Sequence, residues 1–268
     1  MPSSTAQEVF RSLHHGTTPL LLPNAWDGGS AALIESLGAK AIATTSAGVC
    51  WGRGYADGDT LPLEELVSAA RAIARVVRVP LSVDMEAGYS NEPSAVAELA
   101  ARLVDVGAVG VNIEDGAQVP ELLCQKIEAI RRLTGTELFV NARVDVFLRS
   151  LATGDAAVEA VGRRAKLYQA AGCDGIFVPG LADLPAIAAI ARTIAPLPLN
   201  VMLVPGLPAP DVLQQHGVRR LSAGSGLAQA AMGHVSQLVS QFLAGHTEAV
   251  SGSHSVGYGT MNALFAQR

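Results

Sequence analysis

Short runs of aliphatic and β-branched residues recur eight times along this chain, and Ala-rich stretches with helical periodicity separate them. The eight runs are Leu20–Trp26, Ala41–Gly48, Leu81–Ala87, Gly110–Glu114, Phe139–Phe147, Gly175–Pro179, Leu199–Leu203 and Arg220–Ala223. Strands that alternate with helices pair in parallel through right-handed crossovers. Eight such units within 268 residues predict a closed (β/α)8 barrel of the TIM type. An open doubly wound sheet is the alternative, because periodicity alone does not prove that a sheet closes.

No shift in composition divides the chain, so we expect one barrel domain over residues 1–268. Gly226–Gly245 has the pattern of a long amphipathic helix and begins a C-terminal helical extension over about 227–268. The Ser/Gly-rich segment 250–257 leads to a last short helix, Thr260–Gln267. This apolar last segment can dock on its own barrel or on a second copy of the chain, and the residues alone leave both open.

The composition narrows the classes of partner and location. Hydrophobic residues make up 49% of the chain and charged residues only 16%, which suits parallel strands buried on both faces. The net charge of −5 gives no electrostatic reason to expect nucleic acid or an anionic membrane as a partner. Three scattered cysteines are too few for a disulfide framework or a zinc site. Neither a signal-peptide pattern nor a transmembrane run is present, so we expect a cytoplasmic protein.

Acidic residues collect where two neighbouring strands of the predicted barrel end, which is where barrel enzymes carry their chemistry. Asp84 and Glu86 alternate along one strand and therefore point to the same side, and Glu114 ends the next strand. Three carboxylates in one small volume repel each other unless a cation is present. Oxygen ligands of this type suit Mg²⁺ or Mn²⁺ rather than zinc. Helix capping or pairing with arginine is the alternative, and the convergence of three acids favours a metal site.

Other polar groups at strand ends are candidate substrate contacts. Arg143 offers a positive fork to a substrate carboxylate, although a salt bridge to Asp145 would explain it equally well. The segment Ser46-Ala47-Gly48 can present backbone N–H groups to an anion, or it can be a simple tight turn. The remaining candidates at strand ends are Trp26, Asn112 and Asn200.

Six short motifs in this order carry a resemblance to a known family. They are Asn24–Asp27, Thr44–Gly48, Asp84–Tyr89, Gly110–Asp115, Asn141–Arg143 and Ala171–Phe177. With these motifs the chain resembles the isocitrate lyase / phosphoenolpyruvate mutase superfamily across nearly its full length. That family is a (β/α)8 barrel, often with its eighth helix exchanged between subunits, and it binds Mg²⁺ and a pyruvyl-type ligand. The resemblance therefore implies a small α-keto acid as substrate and a homodimer or homotetramer as the assembly.

The resemblance also implies a role for individual residues. Asp84 would bind the metal directly, whereas Glu86 and Glu114 would hold it through water. Glu86 stands where the family more often has Asp, and its longer side chain suits the water-bridged role. Asp57 would lie beside the metal. The groups that would hold the substrate are Ser46, Ala47, Gly48 and Arg143.

The loop after the fourth strand departs from the family pattern. The family's lyases carry Lys-Lys-Cys-Gly-His there, and its mutases carry a Lys and an Asn–Ser pair, but Gly116–Lys126 contains neither. Cys124 and Lys126 fall in the predicted next helix, where we interpret them as structural. Pro179-Gly180 stands where many of the lyases have a Glu. The predicted binding platform is present, and the specialised acid/base loop is not.

These features favour a Mg²⁺-dependent C–C lyase or decarboxylase of oxaloacetate-like acids, because decarboxylation needs no base to start it. Phosphoenolpyruvate or phosphonopyruvate chemistry is the alternative within enzymes. A non-catalytic α-keto acid binding protein is the alternative from another class. A sugar-phosphate barrel that uses Gly224–Gly226 as a phosphate site is more distant, since a strand-to-helix turn explains that segment.

Overall fold

The computed structural model describes residues 5–250 and 255–266. Its strands are β1 Leu20–Leu22, β2 Asn24–Ala25, β3 Ile42–Thr44, β4 Leu81–Asp84, β5 Gly110–Glu114, β6 Phe139–Arg143, β7 Gly175–Val178, β8 Leu199–Met202 and β9 Val218–Ser222. Its α-helices are α1 Ala6–Leu13, α2 Gly28–Ser36, α3 Ser46–Gly52, α4 Leu63–Ala74, α5 Pro93–Asp105, α6 Pro120–Thr134, α7 Gly154–Ala171, α8 Leu184–Ile194, α9 Pro210–Gln215, α10 Gly226–Leu243 and α11 Tyr258–Ala263, and a 3₁₀ turn spans Thr247–Ala249. In these ranges we find no helix with the length and apolar character needed to cross a bilayer.

All strand pairs are parallel, and the first strand closes the sheet into a barrel. Pro23 divides this strand into β1 and β2, because proline has no N–H to give to the ladder. β1 pairs with β9, where Leu22 lies opposite Ser222, and β2 pairs with β3, where Ala25 lies opposite Thr44. The two halves act as one barrel strand, so the predicted eight-stranded (β/α)8 barrel is confirmed.

Two predicted strands are shorter than expected. The run Ala41–Gly48 ends as β3 at Thr44, because α3 begins at Ser46. The run Phe139–Phe147 ends as β6 at Arg143, and turns follow it. The predicted last helix, Thr260–Gln267, is observed as α11 and begins two residues earlier, while Gln267 and half of the predicted linker, residues 251–254, lie outside the described residues.

Helix α1, which no predicted unit included, closes the N-terminal end of the barrel. Its start is fixed by a capping box between Thr5 and Glu8. Phe10 is fully buried and packs with inward-facing strand residues in a separate apolar cluster that includes Leu22 and Phe139. A Cβ on Gly110 would lie only 2.7 Å from the Phe10 ring, so only glycine fits there. The barrel interior is therefore sealed at this end and opens only at the carboxyl ends of the strands.

Helix α10 has the place of the eighth barrel helix in the chain order, but it does not cover the strands that an eighth helix usually covers. The predicted amphipathic helix is observed as α10, but Ala228 is its only residue that is buried. Its large exposed apolar side chains are Leu227, Met232, Val235, Val239, Phe242 and Leu243. An apolar groove of about 1160 Å³ lies between α2 and α9 over β1 and β9, with Leu21 54% exposed within it. Leu264, after α11, packs against the main core of its own barrel, so α10 is the element left without a partner surface.

We expect Phe10→Ala to lower the free energy of unfolding by about 3–5 kcal/mol, because it leaves a cavity in the sealed end of the barrel. Leu133→Ala, on the exposed side of α6, is the matched control and should change stability by no more than about 0.5 kcal/mol. Urea unfolding followed by circular dichroism measures both. Equal stability of the two variants would contradict a packed floor.

Candidate active site

Alternate residues of two neighbouring strands line the barrel interior from its floor to its mouth. On β5 these are Gly110 beside Phe10, then Asn112, then Glu114. On β6 the matching positions are Phe139, Asn141 and Arg143, and the register pairs Glu114 with Arg143. The acidic and basic groups thus lie at the mouth, and the amides lie one layer below.

Asp84 and Glu86 meet through a turn and not through strand alternation. Asp84 is the last residue of β4, whereas Glu86 adopts a φ of 49°, in the left-handed region. The backbone N–H of Glu86 donates to Asp84 Oδ1 at 3.2 Å. The Glu86 carboxylate itself accepts hydrogen bonds from the Tyr89 hydroxyl and from the backbone N–H of Asp59. Glu86 therefore ties the loop that carries Asp57 and Asp59 to the mouth of the barrel.

Arg143 lies among carboxylates at the same mouth. Its Nη1 forms an ion pair with Glu114 Oε2, and its Nε and Nη2 bind the two oxygens of Asp145 at 2.7 and 3.1 Å. Arg149 Nε adds a contact of 3.1 Å to Asp145. All three guanidinium nitrogens of Arg143 thus contact protein carboxylates, which is the pairing alternative considered from the sequence. A substrate carboxylate would reach Arg143 only by competing with these acids.

Burial raises the pKa of all three predicted metal carboxyls. It raises the pKa of Asp84 and of Glu86, and it raises the pKa of Glu114 to about 8. The charge of Arg143 opposes the shift at Asp84 and Glu114, while the neighbouring acids add to it. Acids that resist ionisation in this way are stabilised as carboxylates by a bound cation.

The spacing of the acids fits a hydrated cation better than a fully protein-bound one. Among the described residues, the potential ligand atoms that lie within 4.8 Å of one another belong to Cys50, Asp57 and Glu86. Burial raises the pKa of the Cys50 thiol to about 11, so it is a poor ligand for a hard ion. Asp84, Glu86 and Glu114 do not gather at direct-ligand spacing. This donor set suits Mg²⁺, which keeps several waters and takes only one or two carboxylates.

The segment Ser46-Ala47-Gly48 forms the first turn of α3 and not a loop. A Cβ on Gly48 would lie 2.8 Å from Trp26 Cβ, so close packing requires glycine there. Trp26 is half-buried and lies between this turn and the apolar groove. A backbone hydrogen bond from Ser46 lowers the pKa of Asp84, which places this helix start beside the predicted metal ligand.

Below the mouth lies a layer of buried amides. Beside these amides lies Arg220, which was not predicted from the sequence to belong to the site. Asn200 is 1% exposed, and its amide nitrogen donates to the carbonyls of Val201 and Arg220, so the structure places it inside the barrel and not at the open site. Arg220 is completely buried beside it. A signal was available, because Arg220 shares the inward-facing parity of Val218 and Ser222 on β9.

The residues of the divergent loop have structural contacts. Cys124 is half-buried in α6, and burial raises the pKa of its thiol. Lys126 is 3% exposed and donates to the carbonyl of Ala87 at 2.7 Å. A cavity of about 250 Å³ lies between Lys126 and Glu114.

Comparison with known proteins identifies relatives. The sequence profile of the phosphoenolpyruvate phosphomutase family matches residues 10–243. A protein of Mycobacterium tuberculosis without an assigned activity is 41% identical over 81% of each chain. The 2-methylisocitrate lyase of Aeropyrum pernix is 30% identical over 72% of this chain and 65% of its own, and the oxaloacetate decarboxylase of Pseudomonas fluorescens is 33% identical over 64% and 62%.

Solved structures share the same barrel. A protein of Burkholderia cenocepacia, provisionally described as a phosphonomutase, is 36% identical, with a TM-score of 0.84 over 89% of this chain and 100% of its own. A phosphonopyruvate hydrolase in complex with oxalate and Mg²⁺ gives a TM-score of 0.85 over 97% of this chain and 95% of its own. At 20% identity, this second likeness shows the fold alone.

We expect Mg²⁺ binding to release protons and to tighten as the pH rises towards 8. The raised pKa of Glu114, about 8, means that its carboxyl carries a proton near neutral pH, and a cation must displace that proton. The apparent affinity should fall about tenfold for each pH unit below 8 per proton displaced. Titration calorimetry in buffers of different ionisation enthalpy counts the protons, with Glu114→Gln as the comparison that releases fewer. An affinity that is constant from pH 6 to 8.5 would contradict the raised pKa.

Proposed function

This chain belongs to the phosphoenolpyruvate phosphomutase family of the isocitrate lyase / phosphoenolpyruvate mutase superfamily, and from that premise we propose that it is a Mg²⁺-dependent C–C lyase or decarboxylase of a small α-keto dicarboxylic acid such as oxaloacetate. One observation carries the proposal. Three acids whose pKa values are raised by burial face the barrel mouth, with a guanidinium held beside them. Two relatives are named for reactions of related acids: one is an oxaloacetate decarboxylase, and the other is a 2-methylisocitrate lyase.

In this proposal Asp84 binds the metal directly, and Glu86 and Glu114 hold it through water. Bound Mg²⁺ supplies a Lewis acid that polarises the α-keto carbonyl and stabilises an enolate. Glu86 is kept in place by Tyr89 and by the loop carrying Asp59, so the chain fixes its position before any ligand arrives. Mn²⁺ fits the same oxygen donors.

The other mouth residues bind and orient the acid. The first turn of α3, Ser46-Ala47-Gly48, begins beside Asp84, to which the Ser46 backbone N–H bonds, and this turn would hold the keto-acid end. Arg143 and Arg149 are the guanidinium groups at the mouth, and a carboxylate of the bound acid would pair with one of them in exchange for a contact to Glu114 or Asp145. Asp57, which is exposed on the loop above Glu86, would lie beside the metal.

The contacts of the divergent loop support decarboxylation over base-dependent cleavage. In decarboxylation of oxaloacetate, the bond from C3 to the departing CO₂ breaks and its electron pair moves into the C2 carbonyl as an enolate. No proton is removed, so no catalytic base is needed at the start. Cys124 is a half-buried neutral thiol and Lys126 is bonded to a carbonyl, so neither replaces the family's loop base.

We further infer that the chain forms a homodimer or homotetramer by exchange of α10. One chain has a helix with an uncovered apolar face and a groove of about 1160 Å³ without a helix. The groove lies over β1 and β9, which the eighth helix of a barrel normally covers. A second copy of the chain supplies the missing helix and receives one in return, which is a closed, isologous contact.

Asp84→Ala should abolish Mg²⁺-dependent binding of oxalate while leaving the fold intact, because it removes the one direct carboxylate ligand. Titration calorimetry with and without EDTA measures binding, and Glu98→Ala, an exposed acid on α5, is the control. The activity test is a panel of oxaloacetate, 2-methylisocitrate, 2,3-dimethylmalate and phosphonopyruvate with Mg²⁺. Unchanged metal-dependent binding in Asp84→Ala would refute the metal site, and turnover of phosphonopyruvate alone would favour the alternative chemistry.

Val235→Glu should convert the oligomer to a monomer, because it places a charge on the apolar face of α10. Gln237→Glu adds the same charge on the opposite side of the helix and should keep the native mass. Light scattering measures the mass of each protein. A monomeric wild-type chain would rule out the exchange.

A further inference from the structure

The amide of Asn112 is held in one orientation by two donors inside the barrel. Asn141 Nδ2 donates to Asn112 Oδ1 at 2.9 Å, and Arg220 Nη2 donates to the same oxygen at 3.1 Å. A guanidinium has donors only, so the atom of Asn112 that faces Arg220 must be the oxygen. The side-chain nitrogen of Asn112 must then point away from Arg220.

A second set of contacts fixes the same orientation independently. Asn200 Nδ2 donates to the carbonyls of Val201 at 2.7 Å and Arg220 at 3.2 Å, and a carbonyl can only accept. The oxygen of Asn200 therefore faces Asn141 and receives a hydrogen bond of 3.0 Å from Asn141 Nδ2. Asn141 thus donates to the oxygens of both neighbouring amides, and the nitrogen of Asn112 is the amide donor of the three that has no acceptor among the described residues.

The side-chain nitrogen of Asn112 is accessible from the mouth of the barrel. Ser82 Oγ, Asn141 Oδ1 and two nitrogens of Arg220 are sealed from solvent without a partner, but the nitrogen of Asn112 is not among these sealed atoms. In the part of the chain that the structure describes, no acceptor bonds to it. Since α1 closes the floor, solvent reaches Asn112 from the mouth, where the register sets it opposite Asp84.

The burial of Arg220 shows how strongly this orientation is imposed. The side chain is fully buried and makes a single side-chain hydrogen bond, to Asn112. In the part of the chain that the structure describes it forms no ion pair with a carboxylate, although the charge of Asp84 acts on its pKa. A buried arginine with so few partners is costly for folding, so its position needs a reason beyond stability.

We propose that Arg220 is a positioning residue that fixes the Asn112 amide with its N–H groups towards the ligand, and that Asn112 thereby selects an anionic oxygen of the substrate. The anionic oxygen is a carboxylate or enolate oxygen of the α-keto acid, so this inference rests on the proposed function. Asn112 then contributes specificity by donating to charge, which a free amide able to flip could not enforce. Arg220 does so without touching the ligand.

Asn112→Asp tests the proposal because it changes the donor facing the ligand into an acceptor at constant shape. One carboxylate oxygen keeps the contacts to Arg220 and Asn141, and the new charge pairs with the buried guanidinium, so the fold should be retained. We expect Mg²⁺-dependent oxalate binding to weaken about 100-fold or more, because a hydrogen bond to charge is lost and a repulsion gained. Mg²⁺ alone should bind at least as tightly as in the wild type, since a negative charge is added beside its site. Asn262→Asp, exposed on α11, is the matched control and should bind oxalate normally.

Arg220→Met tests the positioning role separately, with near-ultraviolet circular dichroism as the check on folding. We expect oxalate binding to weaken about tenfold with no loss of Mg²⁺ affinity, because Asn141 is then the one remaining donor that holds the oxygen of the Asn112 amide in place, and the amide flips more readily. Oxalate affinity within threefold of wild type in Asn112→Asp would overturn the selection of an anion, and the same result in Arg220→Met would overturn the positioning role. In both cases wild-type binding of oxalate with Mg²⁺ would leave the proposed function standing. Wild-type protein that neither binds oxalate nor turns over any acid of the panel would refute the proposed function and this inference together.

Discussion

Every second residue of a barrel strand points into one narrow interior that neighbouring strands share, and in this chain that interior is sealed at one end. Phe10 of α1 fills the floor against Gly110, so polar groups above it can reach water only through the mouth. Most polar side chains placed inside therefore bind another polar group of the protein or face the mouth. The amide layer and the charged mouth both follow from this constraint.

The charged side chains at the mouth and those in the layer below it have different kinds of partner. At the mouth, Arg143 lies between Glu114 and Asp145, and burial still keeps the pKa of Glu114 raised. One layer below, Arg220 donates to the Asn112 amide and, among the described residues, forms no ion pair with a carboxylate. The mouth is thus a place where an added cation relieves repulsion, while the layer below orients neutral groups. A hard cation with a carboxylate-bearing ligand fits the first, and a fixed amide donor completes the second.

On the outside of the barrel, an apolar groove and the apolar face of a helix are both uncovered. Among the described residues, no helix fills the groove over β1 and β9, and most of the apolar face of α10 is left uncovered. The first turn of α10 nevertheless packs next to Gly48 and Trp26, through Ala228. The proposed α10 interface and the first turn of α3 are therefore adjacent, so formation of the proposed oligomer would also stabilise one wall of the proposed site.

The sequence alone predicted the parallel barrel and its family, because period-two and helical patterns are local. It also predicted that Asp84, Glu86 and Glu114 lie close together, because the ends of strands can be identified from the same patterns. It also placed Cys124 and Lys126 on the helix after the divergent loop. It could not foresee that Pro23 divides the first strand or that α1 closes the floor, since both depend on which segments meet in space. Only the tertiary structure decided that Arg143 is paired with acids, that Asn200 lies within the interior, and that Arg220 orients Asn112. Those outcomes depend on contacts between strands far apart in the chain, and no local pattern encodes which donor meets which acceptor across a barrel.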